Sequence, residues 1–282
     1  MKPILSVLLA LMLCLSLCAC GKQPVETPTE PPTGPSVPVS TCPPAPTEPP
    51  TEPPTEAPTE PEVPEIVFAA TDEAFTDGEN TLLTLSAGLP SCETLPQVDA
   101  YYKALYDDLR ALCDLNAQDA AQRRAEFITD GLDFTPWAVE VDCEITRNDG
   151  VTLSVLREIY ENTGGAHPLI TYQSETFDVA SQGRLLLGDL FTVAEEEYLP
   201  RLRDMMVARM DQLETEGVVL YYDFAREQLT ELLDPMDFAL TEDSLLLFFD
   251  VYALAPYAAG PQQFYLPLTD LADILKPQYQ VK

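Results

Sequence analysis

The chain has 282 residues, among them 47 Asp and Glu, 15 Lys and Arg and a single histidine, and its formal net charge at pH 7 is −32. A surface this acidic repels nucleic acid and anionic lipid, and it attracts cations or basic proteins or serves solubility alone. Nucleic acid is therefore excluded as a partner, and any chemistry that needs an imidazole depends on His167.

The first twenty residues have the features of an export signal. Lys2 supplies positive charge, and residues 4–17 form an apolar run too short to span a bilayer comfortably. The sequence LCACG at residues 17–21 resembles a bacterial lipobox, which implies cleavage before Cys20 and a lipid on its sulfur. Residues 1–20 are thus expected to be a lipoprotein signal peptide, and the mature protein to be lipid-anchored on the extracellular face of the cell membrane. A plain signal peptide or an uncleaved anchor is the alternative reading.

A Pro-, Thr- and Glu-rich linker follows at residues 21–65. From residue 22 onward it holds 16 of the 27 prolines and no aromatic residue. With nothing apolar to bury, it cannot offset the entropy of ordering and is expected to be a disordered, extended spacer. A Pro-rich ligand for an aromatic-grooved domain is the rival interpretation.

The remaining 217 residues are long enough to bury a core. Removing Lys2, Lys22 and eight linker glutamates from the totals leaves 13 basic and 39 acidic residues, a net charge of −26 for residues 66–282. Three cysteines lie here, Cys92, Cys113 and Cys143, at spacings that fit no zinc pattern. We expect buried free thiols, no metal and no cofactor.

The pattern of the first half predicts short strands at 66–68 and 82–85 and then a helix. The helix is indicated by apolar residues at spacings of three and four, from Val98 to Leu112. Alternation at 137–145, an Asp-Gly turn at 149–150, a strand at 151–160, a Gly-Gly turn and a strand at 168–177 predict an antiparallel meander.

The second half predicts a long helix at 195–213, a short helix near 224–233 and a helical turn at 270–275. Between the last two we expect strands at 237–241, 244–251 and 263–266. The predicted fold class is α+β, with an antiparallel β-sheet of hairpins packed against two long helices and without a βαβ array.

Two stretches carry a family resemblance. The sequences YENTGGAH at 160–167, TFD at 176–178, LGDLF at 187–191 and APYAAG at 255–260 resemble the extracellular domain of RsiV-type anti-sigma factors. Residues 82–165 resemble the smaller domain that precedes it there and in some peptidoglycan deacetylases. The resemblance covers residues 66–282 and implies a small α+β domain at 66–165 and an RsiV-like C-terminal domain at 166–282.

In RsiV-type proteins the extracellular domain binds lysozyme. The resemblance implies that binding residues here include the motif positions Gly164, Gly165, His167, Pro256, Tyr257 and Gly260. Tyr257 could project as an interface anchor or pack under its own loop, and the sequence does not decide between these. No sigma-binding segment or transmembrane helix is evident, so we expect the binding domain without the signalling output.

Catalysis is not expected from these residues. His167 would need a nucleophile and an acid, and Ser154, Ser174 and Asp178 are the candidates, but there is no nucleophile elbow or oxyanion motif. We expect its ring to hydrogen-bond neighbouring backbone and fix the Gly-Gly turn.

The sequence therefore predicts a non-enzymatic surface lipoprotein. Its acidic domain would bind a cationic envelope-active protein, lysozyme being the first candidate, or a peptidoglycan component of the wall. A peptidoglycan-acting enzyme and a structural envelope protein without a soluble ligand are the alternatives.

Overall fold

The computed structural model describes residues 61–235 and 237–281. The predictions for the signal peptide, for Cys20 and for most of the linker lie outside the described residues. The last five residues of the predicted linker, 61–65, are described and pack against the folded part. Pro64 is buried, and its carbonyl oxygen accepts a hydrogen bond of 2.8 Å from Asn148 Nδ2. The folded part therefore includes residues before the predicted start at 66.

The first half contains a five-stranded sheet in the order β1-β2-β3-β4-β5. One long helix packs on its inner face and buries the first hydrophobic core. The elements are β1 Val67–Asp77, β2 Asn80–Ser91, α1 Pro96–Thr129, β3 Trp137–Asn148, β4 Thr152–Asn162 and β5 Leu169–Asp178.

The α+β class is confirmed, and so is the antiparallel meander of β3, β4 and β5. The sheet is not wholly antiparallel, because β2 pairs parallel to β3, with Leu83 opposite Trp137. The unit β2-α1-β3 is a βαβ crossover, which the sequence analysis excluded. The physical reason is that a long helix, not a tight turn, connects the two strands, so β3 returns in the direction of β2.

Helix α1 extends well beyond the predicted apolar stripe. After Leu112 its buried residues are Cys113, Ala117 and Ala120, which continue the spacing of four and three with small side chains. Because small side chains give a weak hydrophobic signal, the apolar pattern predicts a shorter helix than the structure contains. Strand β1 was underestimated for another reason, since it lies at the edge of the sheet and most of its residues are exposed.

The second half packs a small sheet, in the order β6-β7-β8, against helices around a second core. Met206 and Met210 of α2 are fully buried and belong to this core. The elements are a 3-10 turn Leu187–Leu190, α2 Glu195–Thr215, α3 Ala225–Gln228, β6 Ala239–Leu240, β7 Ser244–Phe249, a 3-10 turn Tyr257–Ala259 and β8 Gln262–Pro267.

The three cysteines are free, as predicted. Cys92 and Cys113 are buried and Cys143 is half-buried. Burial raises the pKa of Cys113 to about 11 and that of Cys143 to about 12, so these two thiols stay protonated at neutral pH.

A buried ion pair joins β4, β5 and α1 inside the first core. Arg157 Nη2 lies 2.8 Å from Glu175 Oε1, and the two side chains are 4% and 2% exposed. The hydroxyl groups of Tyr101 and Tyr102 donate to the same carboxylate at 3.2 and 3.1 Å. Burial, and then the Glu175 charge, raises the pKa of Tyr102 well above its usual value. The network attaches the helix to the sheet through charge-assisted hydrogen bonds.

The segment 237–240 connects the second half to the outer face of the five-stranded sheet. The backbone N–H of Ser174 donates to Asp237 Oδ1 at 3.0 Å, and the N–H of Leu240 donates to Ser154 Oγ at 2.9 Å. The Thr176 hydroxyl donates to the Phe238 carbonyl at 3.0 Å. Asp237 therefore lies at a junction that is held by hydrogen bonds from two strands.

Stability should depend on pH through Asp237. Burial raises the pKa of this carboxyl from its ordinary 3.8 to about 6, so the folded state binds the proton more tightly than the unfolded state. The resulting stabilisation is fully present below about pH 3.8 and is lost as the pH rises through about 6. We expect Asp237→Asn, which can still accept from Ser174, to unfold at a higher temperature than wild type at pH 7. The difference should shrink towards pH 4 in a series of thermal melts, and a constant difference would contradict the assignment.

Candidate binding site

The two sequence motifs meet in the folded protein. The hairpin tip at 163–168 joins β4 to β5, and the loop at 250–261 joins β7 to β8. Tyr257 Oη donates to the Pro168 carbonyl oxygen at 2.7 Å. The Tyr257 ring also stacks on His167, with ring centroids 4.7 Å apart and an interplanar angle of 21°. Positions about ninety residues apart in the chain thus form one local site.

Tyr252 adds a third ring to this site. Its ring centroid lies 5.6 Å from that of Tyr257, and its side chain is 56% exposed. Its φ angle is +70°, in the left-handed region that costs a bulky residue on the order of 1–3 kcal/mol and is concentrated at functional positions. We call His167, Tyr252 and Tyr257 the aromatic platform. Tyr252 lies three residues before the APYAAG motif and was not among the predicted binding residues, because a backbone angle leaves no signal in composition.

The glycines and the proline of the motifs shape the two loops. Gly164 has φ +75°, and a Cβ atom there would lie 2.8 Å from Trp137 Nε1, so both conformation and space require glycine. Gly165 is exposed and has no such angle. Pro256 precedes the short 3-10 turn, and Gly260 ends it with φ +70° and an N–H bond to the Tyr257 carbonyl at 2.9 Å. These residues hold the rings in place and are not themselves chemical groups of the site.

Tyr257 is half-buried and His167 is exposed. Tyr257 therefore both anchors its loop, through its hydroxyl, and keeps part of its surface accessible. The contact that the imidazole makes within the described residues is the stack on Tyr257, and the predicted backbone hydrogen bond is not formed. The expected role of His167 in fixing the turn thus changes to a contact between the two loops.

The candidate partners for a catalytic histidine are engaged elsewhere or buried. Ser154 Oγ is bonded to Thr176 Oγ1 at 2.9 Å and accepts from the Leu240 N–H. Asp178 Oδ1 accepts from the N–H and hydroxyl of Ser181. Ser174 is fully buried in β5. None of the three forms a hydrogen bond with the exposed imidazole.

Within 61–235 and 237–281, no three His, Cys, Asp or Glu side chains are grouped so that they could hold a metal ion. In the same part of the chain, none of the helices combines the length and the apolar character needed to cross a membrane.

Two family models match separate parts of the chain. The model described as deacetylase PdaC matches residues 77–170, and the model described as a protein of unknown function, DUF3298, matches residues 188–269. The expected likeness to a domain of peptidoglycan deacetylases is thereby confirmed for the first half. The aromatic platform draws on both regions, because His167 lies in the first and Tyr257 in the second.

Curated relatives are similar over about half of the chain. Immunogenic protein MPB64 of Mycobacterium bovis is 26% identical over 165 residues, which is 55% of this chain and 69% of that protein. Peptidoglycan-N-acetylmuramic acid deacetylase PdaC of Bacillus subtilis is 28% identical over 151 residues, 50% of this chain. The match spans only 30% of the deacetylase.

Two solved structures share the fold over about three quarters of the chain. A DUF3298 family protein from Pseudomonas aeruginosa PAO1 matches with a TM-score of 0.53 and 19% identity, over 78% of this chain and 98% of that one. A member of the same family from Bacteroides fragilis NCTC 9343 gives a TM-score of 0.56 and 16% identity, over 77% and 96%. At these identities the likeness concerns the fold, which is that of DUF3298 proteins. The more specific resemblance to RsiV-type proteins stays a prediction.

Proposed function

We propose that this protein is a non-enzymatic lipoprotein of the cell surface that binds a cationic envelope-active protein, with lysozyme as the first candidate. In this proposal Cys20 carries the lipid, the Pro-rich segment is the tether and the folded part is the receptor. The observation that carries it is the aromatic platform, which is largely exposed, built by two loops and partly held in a strained conformation.

Aromatic side chains fit this role for a physical reason. Tyrosine presents a large contact area and loses little conformational entropy on binding, and it is enriched among the residues that dominate interface energetics. The −26 charge of residues 66–282 would attract a basic partner and accelerate its association. The platform would then supply the short-range contacts that a charge field cannot supply.

A wall component is the second candidate ligand. The likeness to a peptidoglycan deacetylase over residues of the first half favours it, and the aromatic rings of the platform also suit a sugar face. We regard catalysis on peptidoglycan as the weaker form of this alternative, because His167 is stacked on Tyr257 and the candidate serines and Asp178 are bonded elsewhere or buried.

Calorimetric titration of the purified protein with lysozyme tests the proposal. We expect saturable one-to-one binding at low salt that persists at physiological salt, and no equivalent signal with cytochrome c, a comparably basic control. Binding shared with cytochrome c, or lost at physiological salt, would mean that charge alone attracts the partner. Turnover of peptidoglycan that disappears in His167→Ala would instead establish an enzyme.

A further inference from the structure

The outer face of the five-stranded sheet is open along β1, β2 and most of β3. Helix α1 covers the inner face, and the second half covers the outer face of β4 up to Leu156 and of β5 from Ser174 to Thr176, where these residues are buried. Five acidic side chains occupy outward positions on the rest of it, and all are exposed or half-buried. We call them the acidic sheet face: Asp72, Glu140, Asp142, Glu144 and Glu158.

The strand register brings these carboxylates together. Asp142 of β3 lies directly opposite Glu158 of β4, and side chains at such positions are about 5 Å apart at Cβ. Glu140 and Glu144 flank Asp142 on the same face, each about 7 Å along the strand. Like charges directly opposite destabilise a sheet, so this arrangement carries a cost in the free protein that a cationic partner would relieve.

Among the described residues, no Lys or Arg occupies an outward position between these acids. None of the five carboxylates forms an ion pair within the described residues. The outward positions between them carry small side chains that leave the surface flat and accessible, namely Ala70, Ala74, Thr84, Ser86, Gly88 and Ala138.

Aromatic side chains and a cleft accompany the charge. Phe68, on the edge strand, is 47% exposed, and Tyr160 lies opposite Glu140. At the β3 end a cleft of about 310 Å³ is lined by Glu144, Glu242 and Asp243 and by Tyr265, which is 55% exposed. A carboxylate group next to an aromatic face is the environment that receives an arginine or lysine side chain.

We propose that the acidic sheet face is the docking surface for a cationic protein, which places a basic side chain in the cleft beside Tyr265. The identity of that protein rests on the proposed function, whereas its charge follows from the face itself. The face would set the association rate and the orientation of the partner, because complementary charge acts mainly on association. The aromatic platform would set the lifetime of the complex.

The test compares two triple variants of the full chain that remove the same number of charges. Glu140→Gln, Asp142→Asn and Glu144→Gln neutralise the face. Glu195→Gln, Glu196→Gln and Glu197→Gln neutralise three exposed acids at the start of α2. With lysozyme as the probe, we expect the face variant to bind about tenfold more weakly, mainly through slower association and with a shallower salt dependence, and the α2 variant to change less than about threefold. The face variant should unfold at the same or a higher temperature than wild type.

The outcomes separate this proposal from the proposed function. If both variants bind lysozyme equally more weakly than wild type, the docking surface is overturned, and the attraction comes from the net charge of the protein as a whole. If lysozyme fails to bind but cytochrome c binds and loses affinity only in the face variant, the surface stands and the lysozyme assignment fails. If neither basic protein binds the wild type, both proposals are overturned.

Discussion

Replacing Glu175 with alanine is expected to lower the free energy of unfolding by about 3–5 kcal/mol, the usual range when one partner of a buried ion pair is removed. The Arg157 guanidinium would then remain inside the first core without its counter-charge, since both side chains are almost fully buried. The hydroxyls of Tyr101 and Tyr102 would lose their shared acceptor as well. Urea unfolding followed by circular dichroism measures the change.

Two controls distinguish a buried-charge effect from a general loss of packing. The double variant Arg157→Met and Glu175→Leu should recover most of the loss, because apolar side chains of similar volume leave no uncompensated charge. Replacing Asp99, which pairs with the largely exposed Lys103, should have a much smaller effect. If the double variant is as unstable as Glu175→Ala, shape rather than charge determines the stability at this site.

The ion pair of Arg157 and Glu175 could not be predicted from the sequence. Arg157 precedes another charged residue and Glu175 lies between Ser174 and Thr176, so each has a polar neighbour in sequence, and charged residues are rarely buried unless paired. The pairing became evident only once the register placed β4 beside β5 and α1 across both. Charge by itself favours an exposed position for each residue. The buried position is explained by the partner on the neighbouring strand, which the sequence does not identify.

Sequence patterns within a short stretch of chain predicted the hairpins correctly. The hairpins of β3, β4 and β5 followed from alternation and from turn residues, because each partner strand is adjacent in the chain. The parallel pairing of β2 with β3 connects residues about fifty positions apart, and no turn residue encodes it. The same limit applies to the site: the motifs selected His167 and Tyr257 separately, while their stacking and the strained angle of Tyr252 depend on the assembled fold.

Replacing Tyr257 with alanine should weaken lysozyme binding by about thirtyfold or more, the loss typical of a dominant interface aromatic. The variant removes both the stack on His167 and the hydrogen bond to Pro168, so the loop at 250–261 also loses these contacts with the hairpin tip. Titration calorimetry measures the affinity, and a thermal melt of the same sample measures the accompanying change in stability, expected to be about 1 kcal/mol for the hydrogen bond.

Two further substitutions make this result specific. Tyr257→Phe keeps the ring and removes only the hydroxyl, so it should retain most of the affinity if ring contact dominates. Phe127→Ala removes another half-buried aromatic side chain, one that lies in α1 and packs on Phe134 rather than in either motif loop, and should leave binding unchanged. A Tyr257→Ala protein that melts earlier but binds normally would restrict this residue to loop packing. In that case the acidic sheet face would carry the interaction without the platform, and binding should then disappear as salt is raised, because exposed charges more than about 8 Å apart are screened at physiological ionic strength.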